Sequence, residues 1–242
     1  MIKKTVLITG ATGGIGRQIS IKFAQEGWNV ICHYFSSQAK AKELNKIIGK
    51  FSVDCQLLRA DLISPGELLV FVDRLKKFNI DCVINNAATQ VVSKHFSQLK
   101  VRDLVDTFMA NTIAPILLTS GIFMRMKERR FGRIVNISSI AAKYGGSSHS
   151  LHYGCSKLGL EGLTKTLSRE GAGYNIFVNT IRPGVIDTDF HERFPKDMKK
   201  RIGLIPLKRM GYPQDIAEMA YYLGSEKNEF ITNDIITIAG GE

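Results

Sequence analysis

Tyr153 and Lys157 stand four residues apart in Tyr153-Gly-Cys-Ser-Lys157, within a stretch, Tyr153 to Glu170, whose pattern predicts a helix. At that spacing two side chains share one helical face. A free tyrosine titrates at about 10. A neighbouring ammonium favours the phenolate and lowers that value. The hydroxyl could then exchange a proton with a carbonyl or alcohol oxygen near neutral pH. Ser138 and Ser139 end the apolar run that starts at Gly132. A serine hydroxyl there could orient a substrate oxygen and stabilise charge developing on it. The third feature is Thr9-Gly-Ala-Thr-Gly-Gly-Ile-Gly16. Its glycines let the backbone turn sharply and approach a ligand closely. The helix that follows offers unpaired N–H groups and partial positive charge to a pyrophosphate. Taken singly, the Tyr/Lys pair reads as a surface pair and the glycine turn as a plain connection. At the first strand–helix junction of an alternating chain, dinucleotide binding is the better reading.

The elements that must position these residues alternate along the chain. Apolar runs at Thr5–Thr9, Asn29–His33, Cys55–Ala60, Asp81–Asn85, Gly132–Ser138, Ile176–Ile181 and Ile235–Ile238 read as strands. They lack polar alternation, as strands covered on both faces do. Helical patterns separate them. Ile15, Ile19 and Phe23 recur at fourfold spacing, and Ser64-Pro65-Gly66-Glu67 has a capping residue, an N1 proline and an acid three residues on. Val101 to about Arg129 reads as one long helical stretch, with Pro115 inside it as a kink or break. Repeated strand–helix–strand units imply one α/β domain, residues 1–242, with a mainly parallel, doubly wound sheet.

The 242 residues carry 33 Lys+Arg against 22 Asp+Glu, a net charge of +11. That excess suits an acidic ligand or partner and says nothing of fold. Cys32, Cys55, Cys82 and Cys155 form no Cys-x-x-Cys pair, and His33, His95 and His191 are widely spaced, so no metal site is expected. Scattered thiols suit a reducing, cytoplasmic setting. The apolar run after Lys4 is short for a signal peptide, and no stretch is expected to reach membrane-spanning length. No nucleic-acid-binding motif is evident. His149 and His152 precede Tyr153 without an acidic partner or a nucleophile elbow, so they read as substrate-pocket or loop residues rather than as a hydrolase base.

The glycine spacing Gly10, Gly14, Gly16 resembles that of the short-chain dehydrogenase/reductase family. Further matches follow in chain order: Asp61-Leu62, Asn85-Asn86-Ala87-Ala88, Asn111, Ile137-Ser138-Ser139, Tyr153 with Lys157, and Arg182-Pro183-Gly184-Val185-Ile186-Asp187-Thr188. The region from Pro206 to Asn233 resembles the 3-oxoacyl-acyl-carrier-protein reductase branch. The resemblance implies a Rossmann-like sheet of seven strands in the order 3-2-1-4-5-6-7. It implies Tyr153 as general acid, Lys157 tuning it and bonding the nicotinamide ribose, and Asn111 holding a water in a proton relay. Ser139 is the serine implied, with Ser138 as the alternative. A nicotinamide cofactor would lie against Gly10, Thr12, Gly14, Ile15, Gly16, Ser36, Ser37, Asp61, Leu62, Asn86, Ala87, Tyr153, Lys157, Pro183, Gly184, Ile186 and Thr188. The end of the second strand, His33-Tyr34-Phe35-Ser36-Ser37, lacks the acid that would hold the ribose of NAD. Ser36, Ser37 and nearby Lys40 favour NADP(H), with NAD(H) left open.

The resemblance points to a 3-oxoacyl thioester as substrate, reduced in the cytoplasm by a homotetramer. A small sugar, polyketide or other ketone is the alternative, and a non-catalytic dinucleotide-binding regulator stands behind both. Seven basic residues, Arg193, Lys196, Lys199, Lys200, Arg201, Lys208 and Arg209, crowd the presumptive substrate segment, and a second basic cluster ends the long helix. Solvated charge is the plain explanation of both. The functional one is a landing site for an acidic acyl carrier protein, with Arg129 and Arg130 as the contacts, or for a phosphorylated substrate.

Overall fold

Alternate residues of each central strand serve opposite faces of the sheet. In β1 (Thr5–Ile8), Val6 and Ile8 join one apolar cluster while Leu7 joins the other. The same division holds in β2 (Asn29–Tyr34), where Val30 and Cys32 oppose Ile31, and in β4 (Cys82–Asn85), where Cys82 and Ile84 oppose Val83. The period of two is thus present, but both faces are covered, so the central positions of each strand are apolar. The computed structural model describes residues 3–190 and 197–242.

With β3 (Cys55–Arg59), β5 (Gly132–Ile137), β6 (Ile176–Pro183) and β7 (Ile235–Ile238), these strands form one seven-stranded sheet. The order is β3-β2-β1-β4-β5-β6-β7, and every pairing is parallel. One face is covered by α1 (Gly14–Gln25), α2 (Gln38–Ile48) and, near the end of the chain, Pro213–Gly224, through Ile19, Phe23, Leu44, Ile216 and Tyr221. The other is covered by α3 (Pro65–Leu75) and α5 (Ala114–Arg129), through Leu68, Phe71, Leu118, Ile122 and Met126. Each such side chain contributes roughly 1.5–3 kcal/mol by leaving water. The order reverses between β1 and β4, which opens a crevice at the carboxyl ends of the strands, where ligands of such sheets bind.

Two expectations need correction. The long helix is not broken at Pro115. α4 (Val101–Phe108) and α5 are joined by a π-helical turn, Met109–Ile113. Pro115 directly follows that π turn at the start of α5, inside one continuous helical rod. Moreover, Val101–Arg129 is by length and composition alone able to cross a membrane, so one stretch does reach that length. More than half of its apolar window is buried inside the fold, where Leu118, Ile122 and Met126 form core. His191, Arg193 and Lys196 lie outside the described residues.

Candidate active site

A cavity of about 1010 Å³ occupies the crevice. That is the upper end of ligand pockets, large enough for a dinucleotide and a second reactant. Every residue expected against the cofactor borders it, from Gly10 to Thr188, and so do Ser138 and Ser139. Asn111, His149 and His152 do not border it.

At one end lies the glycine turn, followed by α1. Gly10 has φ +64°, a conformation that favours glycine. A Cβ on Gly16 would stand 2.3 Å from the Gly10 carbonyl oxygen and 2.6 Å from Asn86 Nδ2. The turn is braced from below. Asn86 Nδ2 donates to the carbonyls of Thr9 and Gly10 at 2.9 and 3.2 Å, and Thr9 Oγ1 accepts the amides of Asn86 and Ala87. His33 adds a brace that the sequence did not disclose. Its Nδ1 accepts the Gly10 amide at 3.1 Å, so Nε2, 3.2 Å from the Ala60 carbonyl, carries the proton and donates. Burial holds its pKa down at about 4, which keeps that neutral tautomer. Ser37 precedes α2 without a side-chain capping bond, and both it and Ser36 border the cavity. Lys40 Nζ is 2.8 Å from Asp189 across that end.

At the other end β5 delivers two serines with opposite fates. Ser138 Oγ donates to Glu161 Oε1 at 2.7 Å and is buried. Ser139 caps the short helix α6 (Ile140–Tyr144), accepting the Ala141 amide at 3.1 Å, and its hydroxyl stands beside Tyr153, whose pKa it draws down. The structure therefore brings Ser139, not Ser138, to the tyrosine. Tyr153 and Lys157 lie on α7 (Leu151–Gly171) and both face the cavity.

Their electrostatics differ from the expectation of a lowered tyrosine pKa. Tyr153 is half-buried in the cavity wall, and desolvation there pushes its pKa up to about 12. Lys157 is buried as well, which pushes it down to about 7. Its Nζ donates to the Ile137 carbonyl at 2.7 Å and lies 5.9 Å from the tyrosine ring centroid. A half-charged ammonium turned toward a carbonyl does little to draw off the phenol proton. The tyrosine is thus held as a proton donor.

Beneath Lys157, one helical turn on, lies a group absent from the sequence reading. Glu161 is buried and receives both arms of Arg182, Nε to Oε1 and Nη2 to Oε2, each at 2.6 Å. Its carboxylate is the one charge that pulls the Lys157 pKa back up. The signal was the spacing: Tyr153, Lys157 and Glu161 recur every four residues on one face.

Asn111 is buried in the π-helical turn. Its Oδ1 accepts the Thr89 amide, and its Nδ2 donates to the Thr89 carbonyl and to Ser156 Oγ, at 2.8, 2.7 and 2.9 Å. Both amide protons are therefore committed to joining the loop after β4 to α7, with an Oδ1 lone pair left for a water. His152, expected in the pocket or its loop, is buried with neither ring nitrogen hydrogen-bonded, and burial lowers its pKa. Arg129, expected as a partner contact, is engaged by Asp81 at 2.6 Å and by the Ile80 carbonyl, and Arg130 donates to the Gly173 carbonyl at 3.1 Å. Among the described residues no group of three or more His, Cys, Asp or Glu could hold a metal.

A parallel sheet with this order, a glycine cradle at its switch point and a Ser–Tyr–Lys group opposite define an oxidoreductase of the short-chain dehydrogenase/reductase family, and the chain belongs to it, on its 3-oxoacyl-acyl-carrier-protein reductase branch. The family profile described as enoyl-(acyl carrier protein) reductase matches residues 10–242. The 3-oxoacyl-[acyl-carrier-protein] reductase FabG of Aquifex aeolicus is 32% identical, over 98% of this chain and 96% of its own. An uncharacterized oxidoreductase, YmfI of Bacillus subtilis, is 33% identical, over 99% of each chain. Among solved structures, a 3-oxoacyl (acyl-carrier-protein) reductase of Agrobacterium tumefaciens with NADP bound superposes with a TM-score of 0.90 at 26% identity, covering 99% of this chain and 94% of that one.

Proposed function

We propose that the protein reduces a ketone to an alcohol with NADPH, and that the ketone is a 3-oxoacyl thioester. The observation that carries the reading is the meeting of Ser139, Tyr153 and Lys157 on the wall of the cavity that ends in the glycine cradle. The cradle fits a pyrophosphate, since a Cβ at Gly16 would collide with the turn itself. Ser36, Ser37, Lys40 and the uncapped N-terminus of α2 fit the 2′-phosphate of NADP, and no acid stands at the end of β2 to repel it. The Agrobacterium relative binds NADP. When bound, NADPH supplies the hydride. Ser139 orients the carbonyl oxygen, and Tyr153, held protonated, gives its proton to that oxygen. Lys157 would bond the nicotinamide ribose and return a proton toward the tyrosine. Asn111 positions the Thr89 loop against α7.

The curated relatives named FabG support the thioester. A solved relative at 25% identity, named as a gluconate dehydrogenase, supports a second reading, a small polyol or sugar ketone. Val101, Val105, Ile116, Leu117 and Leu158 are exposed on α4, α5 and α7, and a homotetramer would cover them. In that reading the enzyme acts in the cytoplasm and handles carrier-bound acyl groups, with Arg130 outward of the carrier contacts.

Following nicotinamide absorbance with acetoacetyl-coenzyme A tests this, with NADPH and NADH run separately. Tyr153→Phe should lower turnover at least about 100-fold, as loss of a general acid does. Its NADPH affinity should stay within about twofold, since the hydroxyl is only a small part of the cofactor surface. NADPH-dependent turnover that survives the substitution would refute the assignment of the acid.

A further inference from the structure

We propose that Arg201 receives an anionic group, a carboxylate or a phosphate, carried by the carbonyl substrate, and that Glu242 holds its place in the ligand-free protein. The inference rests on the reductase reading of the cavity and names the class of substrate that cavity takes.

The five described basic residues between Lys199 and Arg209 behave differently. Lys199 and Lys200 are exposed. Lys208 Nζ donates to the Gly203 carbonyl at 2.7 Å, and Arg209 to the Met210 carbonyl at 2.9 Å, its guanidinium over the Tyr212 ring. Arg201 alone of the five borders the cavity. It sits on the short helix Met198–Gly203 and pairs with Glu242, which borders the same cavity.

That pair is half-made. Glu242 Oε1 meets Arg201, while Oε2 is buried with no hydrogen-bond partner. A carboxylate oxygen desolvated without a donor is costly, so the glutamate gains by turning out to water. A guanidinium presents a fork that matches both oxygens of a carboxylate or phosphate. A substrate anion that fills the fork therefore displaces Glu242 at little cost. Among the described residues the other lysines on the cavity wall belong to the cofactor: Lys157 donates to the Ile137 carbonyl beside Tyr153, and Lys40 stands at the end that holds Ser36 and Ser37. The wall near Arg201 includes Tyr144, Phe190 and Leu204, and the Phe190 ring lies 5.9 Å from that of Tyr153. The proton donor and the guanidinium thus border one cavity with apolar side chains on its wall, and a ketone with a charged end suits that lining.

Two matched pairs of probes test this. Acetoacetate is compared with its neutral ethyl ester, and acetoacetyl-coenzyme A with the neutral acetoacetyl-N-acetylcysteamine. Dissociation constants are measured by calorimetry on NADP⁺-saturated protein, where no hydride is available and turnover is not needed. Arg201→Gln should weaken the charged member about tenfold or more, and the neutral member by less than about twofold. Glu242→Gln should do the opposite and tighten the charged member about threefold, because it removes the competitor. Arg201→Lys should restore part of the loss, and covers the case in which Arg201→Gln does not fold, read from its melting temperature. A response confined to the acetoacetate pair assigns a carboxylate; one confined to the coenzyme A pair assigns a phosphate. Equal effects on charged and neutral members, a Glu242→Gln that weakens binding as Arg201→Gln does, or a wild type that prefers no charged member would overturn the proposal. NADPH turnover of the neutral thioester, run in parallel, tests the reductase reading separately, since the binding constants decide on Arg201 whether or not turnover occurs.

Discussion

Replacing Glu161 by glutamine is expected to damage both the fold and the lysine above it. The carboxylate is 4% exposed at its side chain and Arg182 is 19% exposed, with two contacts of 2.6 Å between them and a third hydrogen bond from Ser138. Removing one partner of a buried ion pair typically costs about 3–5 kcal/mol, because the other charge is stranded. Arg182 retains some access to water, which places this case at the low end, about 3 kcal/mol. In a chain of this size each kcal/mol moves the melting temperature by about 2–4 °C. A fall of about 6–12 °C should therefore appear in circular dichroism melts. Glu161→Leu with Arg182→Met removes both charges, and much of that loss should return. Lys157 supplies an independent reading. Burial already holds it down at about 7, and Glu161 is what opposes that shift. Without the carboxylate its pKa falls further, so the ammonium is lost at lower pH. The alkaline limb of kcat against pH should move to lower pH. A melting temperature within about 1 °C of wild type, with an unmoved limb, would refute the claim that this pair supports the lysine.

Two further outcomes follow from the cofactor end. His33 is neutral in the fold down to about pH 4, against 6.5 when unfolded. Its stabilising contribution is therefore present above pH 6.5 and lost as pH falls from 6.5 to about 4. The loss amounts to about 3 kcal/mol, read as a falling urea midpoint that His33→Gln flattens over the same window. Gly16→Ala should abolish dinucleotide binding measured by NADPH fluorescence, because its Cβ would stand 2.3 Å from a backbone carbonyl oxygen. Binding within about threefold of wild type would mean that the turn yields more readily than its bracing suggests.

What was legible in the sequence was whatever local spacing determines. The three glycines and the Tyr153/Lys157 pair each form one short segment, and each reaches the cavity as expected. The choice of Ser139 over Ser138 came from the family resemblance and not from local spacing, because it depends on how the chain leaves β5 and which hydroxyl then stands beside α7. Glu161 was hidden because its meaning comes from Arg182, twenty-one residues away on β6. His33 lay in plain view beside the cofactor residues. Its role appears only when β2 and the first turn are brought together, so that the ring meets Gly10. The π-helical turn leaves no compositional trace, and Pro115 drew the break to the wrong place.

That turn has a geometrical consequence. A π turn holds one residue more than an α turn, so the rows of side chains before and after it are out of phase by about 100°. One continuous rod can then present two unrelated faces. α4 leans on α7, while α5 lies on α3 and β5 and keeps an edge on α7. Asn111 stands at the joint, and its clamp on Thr89 and Ser156 fixes where along the rod the slip occurs. Take the clamp away and the slip is free to migrate. The outward apolar row of Val101, Val105, Ile116 and Leu117 would then turn relative to whatever covers it. A side chain that ties the Thr89 loop to α7 would in this way also govern the register of the outer surface.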